Sequence, residues 1–480
     1  LSSILVCHSY FLDFDKKQLE RAKPYPPLAT IQVAAMFRSA GREVGLFDAM
    51  LADGTEDFRA KFEAEQPDIV VFYEDNYNYL SKMCLGRMRE ACCEMIATAQ
   101  RGGARVVAAG SDASDSPEVY LRSGADAVII GEGLASLAVL ADRLSADLEI
   151  DVSDLCEGLP DVTSLASNGA SVSKMPSPLL QREIVKRPAW DLIDVDAYRR
   201  VWLDAHGYFS INMAGSRGCS FRCNWCAKPI WGNRYLQRTP ADVAEEMLFL
   251  KRDFRVDHVW FADDIFGFKA DWVAEFADVV SAAGGGVPFT IQLRADLVTE
   301  KMAIALARAG CREVWIGAES GSQKILDAMN KGATLASIVR ARELLGQQGV
   351  RVGFFLMLGY PGEDIEEIIA TRDLVRLCAP DDVGVSVAYP LPGTGFYESV
   401  RKQLGEKRNW NESNDLEMMF EGTFRSAFYH RIRDLLHDQV TDGWSDQMLQ
   451  RWDDVISMQA EYRYLPEPSD DARQLRAGAS

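Results

Sequence analysis

The stretch Gly215–Pro229, GSRGCSFRCNWCAKP, places Cys219, Cys223 and Cys226 in a C-x3-C-x2-C spacing. Structural zinc takes four protein ligands, and a disulfide takes two sulfurs. Three-ligand catalytic zinc is usually rich in histidine, and the nearest histidine here is His206, outside the loop. A 4Fe–4S cluster offers another solution beside zinc or an orphan thiol group: three irons take the thiolates and the fourth keeps an open position for a substrate. The apolar run YFSINMAG (208–215) reads as a strand, so the loop sits at a strand's carboxyl end.

Strand and helix patterns alternate onward from there. HVWFADD, PFTIQLRADL, EVWIGAESG, RVGFFLMLGYPGE and DVGVSVAYPLPGTG read as strands, and amphipathic helices separate them, the first being TPADVAEEMLFLKRDF with Thr239 or Asp242 at its cap. Six strand–helix units over 205–400 predict a partial parallel barrel, whose active site belongs on the carboxyl rim. Residues 1–145 alternate in the same way. SILVCHSY, EVGLFDA, DIVVFYED, RVVAAGSD and DAVIIGEG predict a doubly wound, Rossmann-like α/β domain, with ligands outside the strands' carboxyl ends. Residues 146–204, acidic and then rich in Ser and Pro, read as a linker wrapping between the domains; 401–480 reads as a helical extension with a disordered tail.

The 480-residue composition is globular, 48% hydrophobic and 26% charged. A net charge of −19, without a long Lys/Arg block, disfavours nucleic acid as a partner. The longest apolar run, Val352–Tyr360, is far short of the roughly 18 residues of a membrane span, and no signal segment opens the chain. Most of the ten cysteines are scattered through apolar segments, as buried thiols are in a reducing, cytoplasmic setting.

With its cysteine spacing on the loop after the first barrel strand, the chain resembles the radical S-adenosylmethionine (radical SAM) enzymes. In that family the open iron chelates the amino and carboxylate groups of SAM, and an electron from the cluster cleaves SAM to methionine and a 5′-deoxyadenosyl radical. The resemblance implies that Cys219, Cys223 and Cys226 are the cluster ligands and places Phe221 and Trp225 beside the cofactor. Trp225, the aromatic before the third cysteine, becomes an adenine neighbour. Ala262, Asp263 and Asp264 stand where the family has a GGE-like segment contacting the SAM amino group. Their different side chains leave backbone contacts as the expectation. The resemblance also brings to SAM Gln292 and Arg294 on alternate positions of strand three, Glu319 and Ser320 at the end of strand four, and Lys331 for the carboxylate. Leu358 and Gly359 in LGYPGE, and Pro392 in PLPGTG, fall where backbone borders the adenine.

A doubly wound domain ahead of such a barrel resembles the cobalamin-binding domain of cobalamin-dependent radical SAM enzymes. The alternative, the cluster domain of tRNA methylthiotransferases, needs three more strand-end cysteines; Cys84, Cys92 and Cys93 instead share a predicted helix, and no C-terminal β-barrel follows. Tyr73, Glu74, Asp75, Asn76, Gly110, Ser111, Gly131, Glu132 and Gly133 are the strand-end residues expected to border cobalamin, the small ones letting the corrin approach the backbone. GEGLAS follows the fifth strand, not the first, which disfavours a dinucleotide site. The Asp-x-His-x-x-Gly cobalt-ligand motif is absent, and His8 reads as a core or loop histidine.

The resemblance therefore implies three cofactors (a 4Fe–4S cluster, SAM and cobalamin), an electron donor such as flavodoxin or ferredoxin, and a small-molecule substrate. The expected reaction is C-methylation of an unactivated carbon. Alternatives are oxidative ring formation or rearrangement with the same cofactors, as in the anaerobic bacteriochlorophyll cyclase, tRNA methylthiolation, and an iron–sulfur electron carrier or sensor.

Overall fold

The computed structural model describes residues 2–78, 86–165, 187–226, 233–405 and 416–464. The first sheet contains β1 (Ser3–Cys7), β2 (Glu43–Phe47), β3 (Ile69–Tyr73), β4 (Arg105–Ala109), β5 (Ala127–Ile129) and β6 (Val162–Thr163), in the order β2-β1-β3-β4-β5-β6. The first five strands are parallel, as the apolar runs predict. Strands β3 and β4 are buried almost throughout because helices cover both sheet faces. The order reverses direction between β1 and β3, the crevice where doubly wound sheets bind ligands.

Strand β6 lies within 146–204, the stretch read as a linker wrapping between the domains. It pairs antiparallel with β5 and extends the sheet. The same stretch holds helices Val152–Cys156 and Val195–His206, and the indole Nε1–H of Trp202 on the latter donates to the Pro24 carbonyl at 2.7 Å. Residues 166–186, Cys84, the segment 406–415 and the tail 465–480 lie outside the described residues.

The second sheet contains β7 (Ser210–Met213), β10 (His258–Phe261), β11 (Phe289–Leu293), β12 (Cys311–Glu319), β13 (Arg351–Leu358) and β14 (Asp382–Val387). Its order, β14-β13-β12-β11-β10-β7, is all parallel, a curled partial barrel whose end strands β7 and β14 are not paired with each other. Fully buried positions alternate with half-exposed ones along β10 and through much of β12, as in a sheet with one packed and one open face. A two-stranded ribbon, β8 (Ser216–Gly218) with β9 (Tyr235–Gln237), flanks the cysteine loop. Past the barrel, helices Ser426–Asp442, Asp446–Ser457 and Gln459–Tyr462 form the C-terminal extension. Among the described residues no helix is long and apolar enough to cross a membrane.

The barrel's N-terminal strand meets the first domain through the Pro-rich segment before helix Leu28–Ser39. The Tyr25 and Ser210 hydroxyls lie 3.2 Å apart, and the Asn212 amide donates to the Pro26 carbonyl at 3.0 Å.

Candidate active site

Strand β7 carries the chain to the barrel rim, where the cysteine loop begins. Cys219 is buried, Cys223 and Cys226 are half-buried, and none is in a disulfide. Asn224, between the second cysteine and Trp225, fixes the loop. Its side chain accepts from the Tyr360 hydroxyl at 2.9 Å and donates to the Ala328 carbonyl at 2.8 Å. Its backbone N–H donates to Met329 at 3.0 Å, and its carbonyl accepts from Phe396 at 3.0 Å. Asn330, held in the left-handed region at φ 51, donates to the Arg222 carbonyl at 2.9 Å. Three separate segments, 328–330, Tyr360 and Phe396, therefore hold the loop.

Of the segment after β10, Asp263 turns inward. Its carboxylate accepts from the Gly215 N–H at 2.9 Å and the Ser216 hydroxyl at 2.5 Å, tying the ends of β7 and β10 together. Burial pushes its carboxyl up to about 7, against the hydrogen bonds, which lower it. The flanking Ala262 and Asp264 are half-buried, which leaves them, not Asp263, at the accessible rim.

Glu319 ends β12 in the left-handed region at φ 61, where the register with β13 shifts. Its carboxylate meets the Lys331 ammonium at 2.6 Å, and both are buried. Burial, the largest single influence, lowers the lysine's pKa, but the charge and hydrogen bond of Glu319 together with the Cys223 sulfur outweigh it and the net shift is upward. The Lys331 nitrogen also lies 5.8 Å from the Trp225 ring centroid. Arg294 reaches the cysteine loop itself, with Nη1 3.6 Å from the Cys223 sulfur, while Gln292 is half-buried one step back along the strand. Ser320 is fully buried, and its hydroxyl accepts from the Ser322 N–H at 3.1 Å, a local turn contact.

Leu358 is buried, and Gly359 takes φ 75 with its N–H donating to Glu363 at 2.5 Å. A Cβ at Gly359 would lie 3.1 Å from the Tyr429 ring and 3.0 Å from Met418, so the C-terminal extension presses on this end of β13. Pro392 is half-exposed in the loop after β14.

The rim of the first domain brings the expected strand-end residues together. Tyr73 is buried and its hydroxyl donates to the Glu132 carbonyl at 2.9 Å. Glu74 accepts from the Ser9 hydroxyl at 2.6 Å; Asp75 accepts from the Ala29 N–H at 3.0 Å and heads the helix Leu28–Ser39. Burial raises the carboxyl of Asp75 to about 6. Asn76 is buried beside it. Gly110 has φ 151, and a Cβ there would strike the Glu74 side chain at 2.8 Å; Gly131 and Gly133 also have positive φ. His8 is fully buried, with Nε2 2.9 Å from Asp48, the core histidine that the sequence suggests. The other Asp48 oxygen accepts from Tyr198 at 2.7 Å.

Sequence reasoning missed Arg217, whose guanidinium forms a buried ion pair with Glu132. Burial holds the Glu132 carboxyl above the usual range even with Arg217 beside it. Glu132 follows β5 and Arg217 follows β7, so the carboxyl rims of the two sheets face one another. A cavity of about 270 Å³ lies there, lined in part by Tyr77, Arg217 and Gln237.

The residues fit the implied groups. Three thiols share one loop, and Trp225 Nε1 is buried without a hydrogen-bond partner among the described residues. On the opposite rim the Ser111 hydroxyl is likewise buried and unsatisfied, next to the glycine-lined strand ends.

Comparison with known proteins agrees with this arrangement. Residues 213–375 match the radical SAM superfamily, and residues 19–141 match the B12 binding domain. An uncharacterized methyltransferase of Pyrococcus horikoshii is 26% identical over 399 residues, covering 82% of each chain. Among solved structures, the radical SAM methyltransferase TsrM of Kitasatospora setae, with cobalamin and a 4Fe–4S cluster bound, superposes with a TM-score of 0.67 at 20% identity. It covers 85% of this chain and 76% of TsrM. The cobalamin-dependent radical SAM enzyme OxsB, with aqua-cobalamin bound, gives 0.65 at 16% identity over 78% of this chain; the chain spans about half of OxsB, 52%. The chain therefore joins a B12 binding domain to a radical SAM domain, the pairing that known cobalamin-dependent radical SAM enzymes carry, and the two domains support a 4Fe–4S cluster, SAM and cobalamin as its cofactors.

Proposed function

We propose that this enzyme methylates an unactivated carbon of a small-molecule biosynthetic intermediate. The observation that carries the reading is the facing of the two carboxyl rims, joined at the buried Arg217–Glu132 pair. When bound, the cluster supplies the electron that cleaves SAM, and the cobalamin supplies a transferable methyl group. The chain's own residues do the rest. Cys219, Cys223 and Cys226 hold the cluster, and anchoring from three segments at Asn224 keeps their loop in place. Lys331, paired with Glu319 and with its nitrogen 5.8 Å from the Trp225 ring centroid, would offer its charge to the SAM carboxylate. Asp263 holds β7 and β10 at a fixed spacing under the loop. The C-terminal extension closes on Gly359 and keeps water from the adenine side.

In overall balance, one SAM gives up its methyl group and leaves as S-adenosylhomocysteine. A second would be cleaved with one electron to methionine and the adenosyl fragment, which leaves as 5′-deoxyadenosine with the substrate's hydrogen. Because the first SAM gives up its methyl as a cation and the substrate carbon is left a radical, the balance takes a second electron, two per turnover. A cytoplasmic flavodoxin or ferredoxin is the electron source this chemistry calls for. The test is anaerobic incubation of the reconstituted enzyme with SAM, a reductant and candidate substrates. Methylation predicts both 5′-deoxyadenosine and S-adenosylhomocysteine, and a product heavier by one methylene unit. Deoxyadenosine without S-adenosylhomocysteine would overturn methylation in favour of ring formation or rearrangement.

A further inference from the structure

Arg294 stands at the end of β11, where the resemblance assigns it to SAM, but its guanidinium is already committed. Nε and Nη2 fork onto the two Asp296 oxygens at 2.9 and 3.0 Å. Nη2 also donates to the Lys331 carbonyl at 2.6 Å. The guanidinium carbon lies 3.7 Å from the Phe221 ring centroid, over the ring of a residue in the cysteine loop. Nη1 points to the Cys223 sulfur at 3.6 Å, within hydrogen-bonding range for so large an acceptor. The residue is 5% exposed. Turning this planar fork toward a SAM carboxylate would break a largely buried bidentate ion pair.

We infer that Arg294 is a positioning residue of the cluster, which donates an N–H to the Cys223 sulfur and sets the cluster's reduction potential. The inference rests on the assignment of Cys223 as a cluster ligand. A donor and a positive charge directed at a ligand sulfur favour the reduced, more negative cluster and so raise its potential. Asp296 offsets part of the charge, but it leaves the N–H aimed at the sulfur. The Phe221 stack holds the guanidinium plane over the loop. Lys331, hydrogen-bonded to Glu319 and near Trp225, is left as the cation that meets SAM.

The experiment is an anaerobic redox titration of the cluster, followed by electron paramagnetic resonance, in the full chain and in the variants Arg294→Lys and Arg294→Gln. Bound iron and SAM affinity are measured alongside. Both variants are expected to hold a cluster with a midpoint potential more negative than wild type. The Gln variant, which loses the charge as well as the guanidinium's reach to the sulfur, shifts further. An unchanged or more positive midpoint in a variant that holds its cluster overturns the inference. So does loss of the cluster from both variants, because Arg294 would then build the loop instead of tuning it. Weakened SAM binding with an unchanged midpoint would restore the SAM-gripping role. If Cys223→Ala kept its cluster, the ligand assignment itself would fail, which is a separate result.

Discussion

Asn224 and Tyr360 show how one pair of side chains can decide the geometry of a cofactor loop. The Tyr360 hydroxyl donates to the Asn224 amide oxygen and lies 3.3 Å from the Ala328 carbonyl, which links the cysteine loop to the end of β13. Tyr360→Phe removes only that hydroxyl. A lost hydrogen bond of this kind costs about 1 kcal/mol. If it holds the loop in its SAM-binding geometry, SAM should bind about fivefold more weakly, with the iron content unchanged. Equilibrium binding of SAM to the reconstituted variant checks this, and an unchanged dissociation constant would mean the loop is held without it. The three cysteines proposed to hold the cluster were legible because metal ligands recur at a characteristic spacing. Asn224, inside the same motif, was not, because its amide reaches Ala328, 104 residues later in the chain. The role of Asp263 was hidden for the same reason: whether a rim carboxylate faces a ligand or turns back to a neighbouring strand depends on side-chain direction, not on spacing.

At the scale of elements, the barrel's lower half is pinned by His258 on β10. Its Nδ1 is 2.8 Å from the Ser210 hydroxyl on β7, and its Nε2 is 2.9 Å from the Thr290 hydroxyl on β11, so one imidazole joins three strands. Burial, reinforced by the charge of Lys23, lowers its pKa from 6.5 to about 4. The folded protein thus keeps the ring neutral where the unfolded chain takes up a proton. This contribution to stability is present above pH 6.5 and lost as pH falls toward 4. Denaturant unfolding should show a slope from this group approaching about 1.4 kcal/mol per pH unit in that window. His258→Gln should remove it, and an identical acid limb in the variant would contradict the assignment. The eleven long or strongly apolar strands were readable as β-branched or alternating runs. Strand β6 has two residues and the ribbon strands β8 and β9 three each, too short to show a period. Their partners, not their sequences, make them strands.

For the whole molecule, alternation of strands and helices was enough to read two α/β domains in the observed order, but not how the domains meet. That depends on pairs such as Arg217 and Glu132, which lie 85 residues apart in sequence. Removing one member of a buried ion pair leaves the other charge uncompensated, at a cost of about 3–5 kcal/mol. Glu132→Ala should therefore lower the urea midpoint clearly; an unchanged midpoint would show that the pair contributes nothing to the domain contact. The account as a whole claims that one chain carries a cluster site and a cobalamin site on facing rims. The most direct test is to measure iron and cobalamin bound per chain after anaerobic reconstitution, in the wild type and in Cys223→Ala. The account predicts one cluster and one cobalamin on the wild type, and cobalamin without the cluster on the variant. A wild-type chain that takes up the cluster but no cobalamin would contradict it.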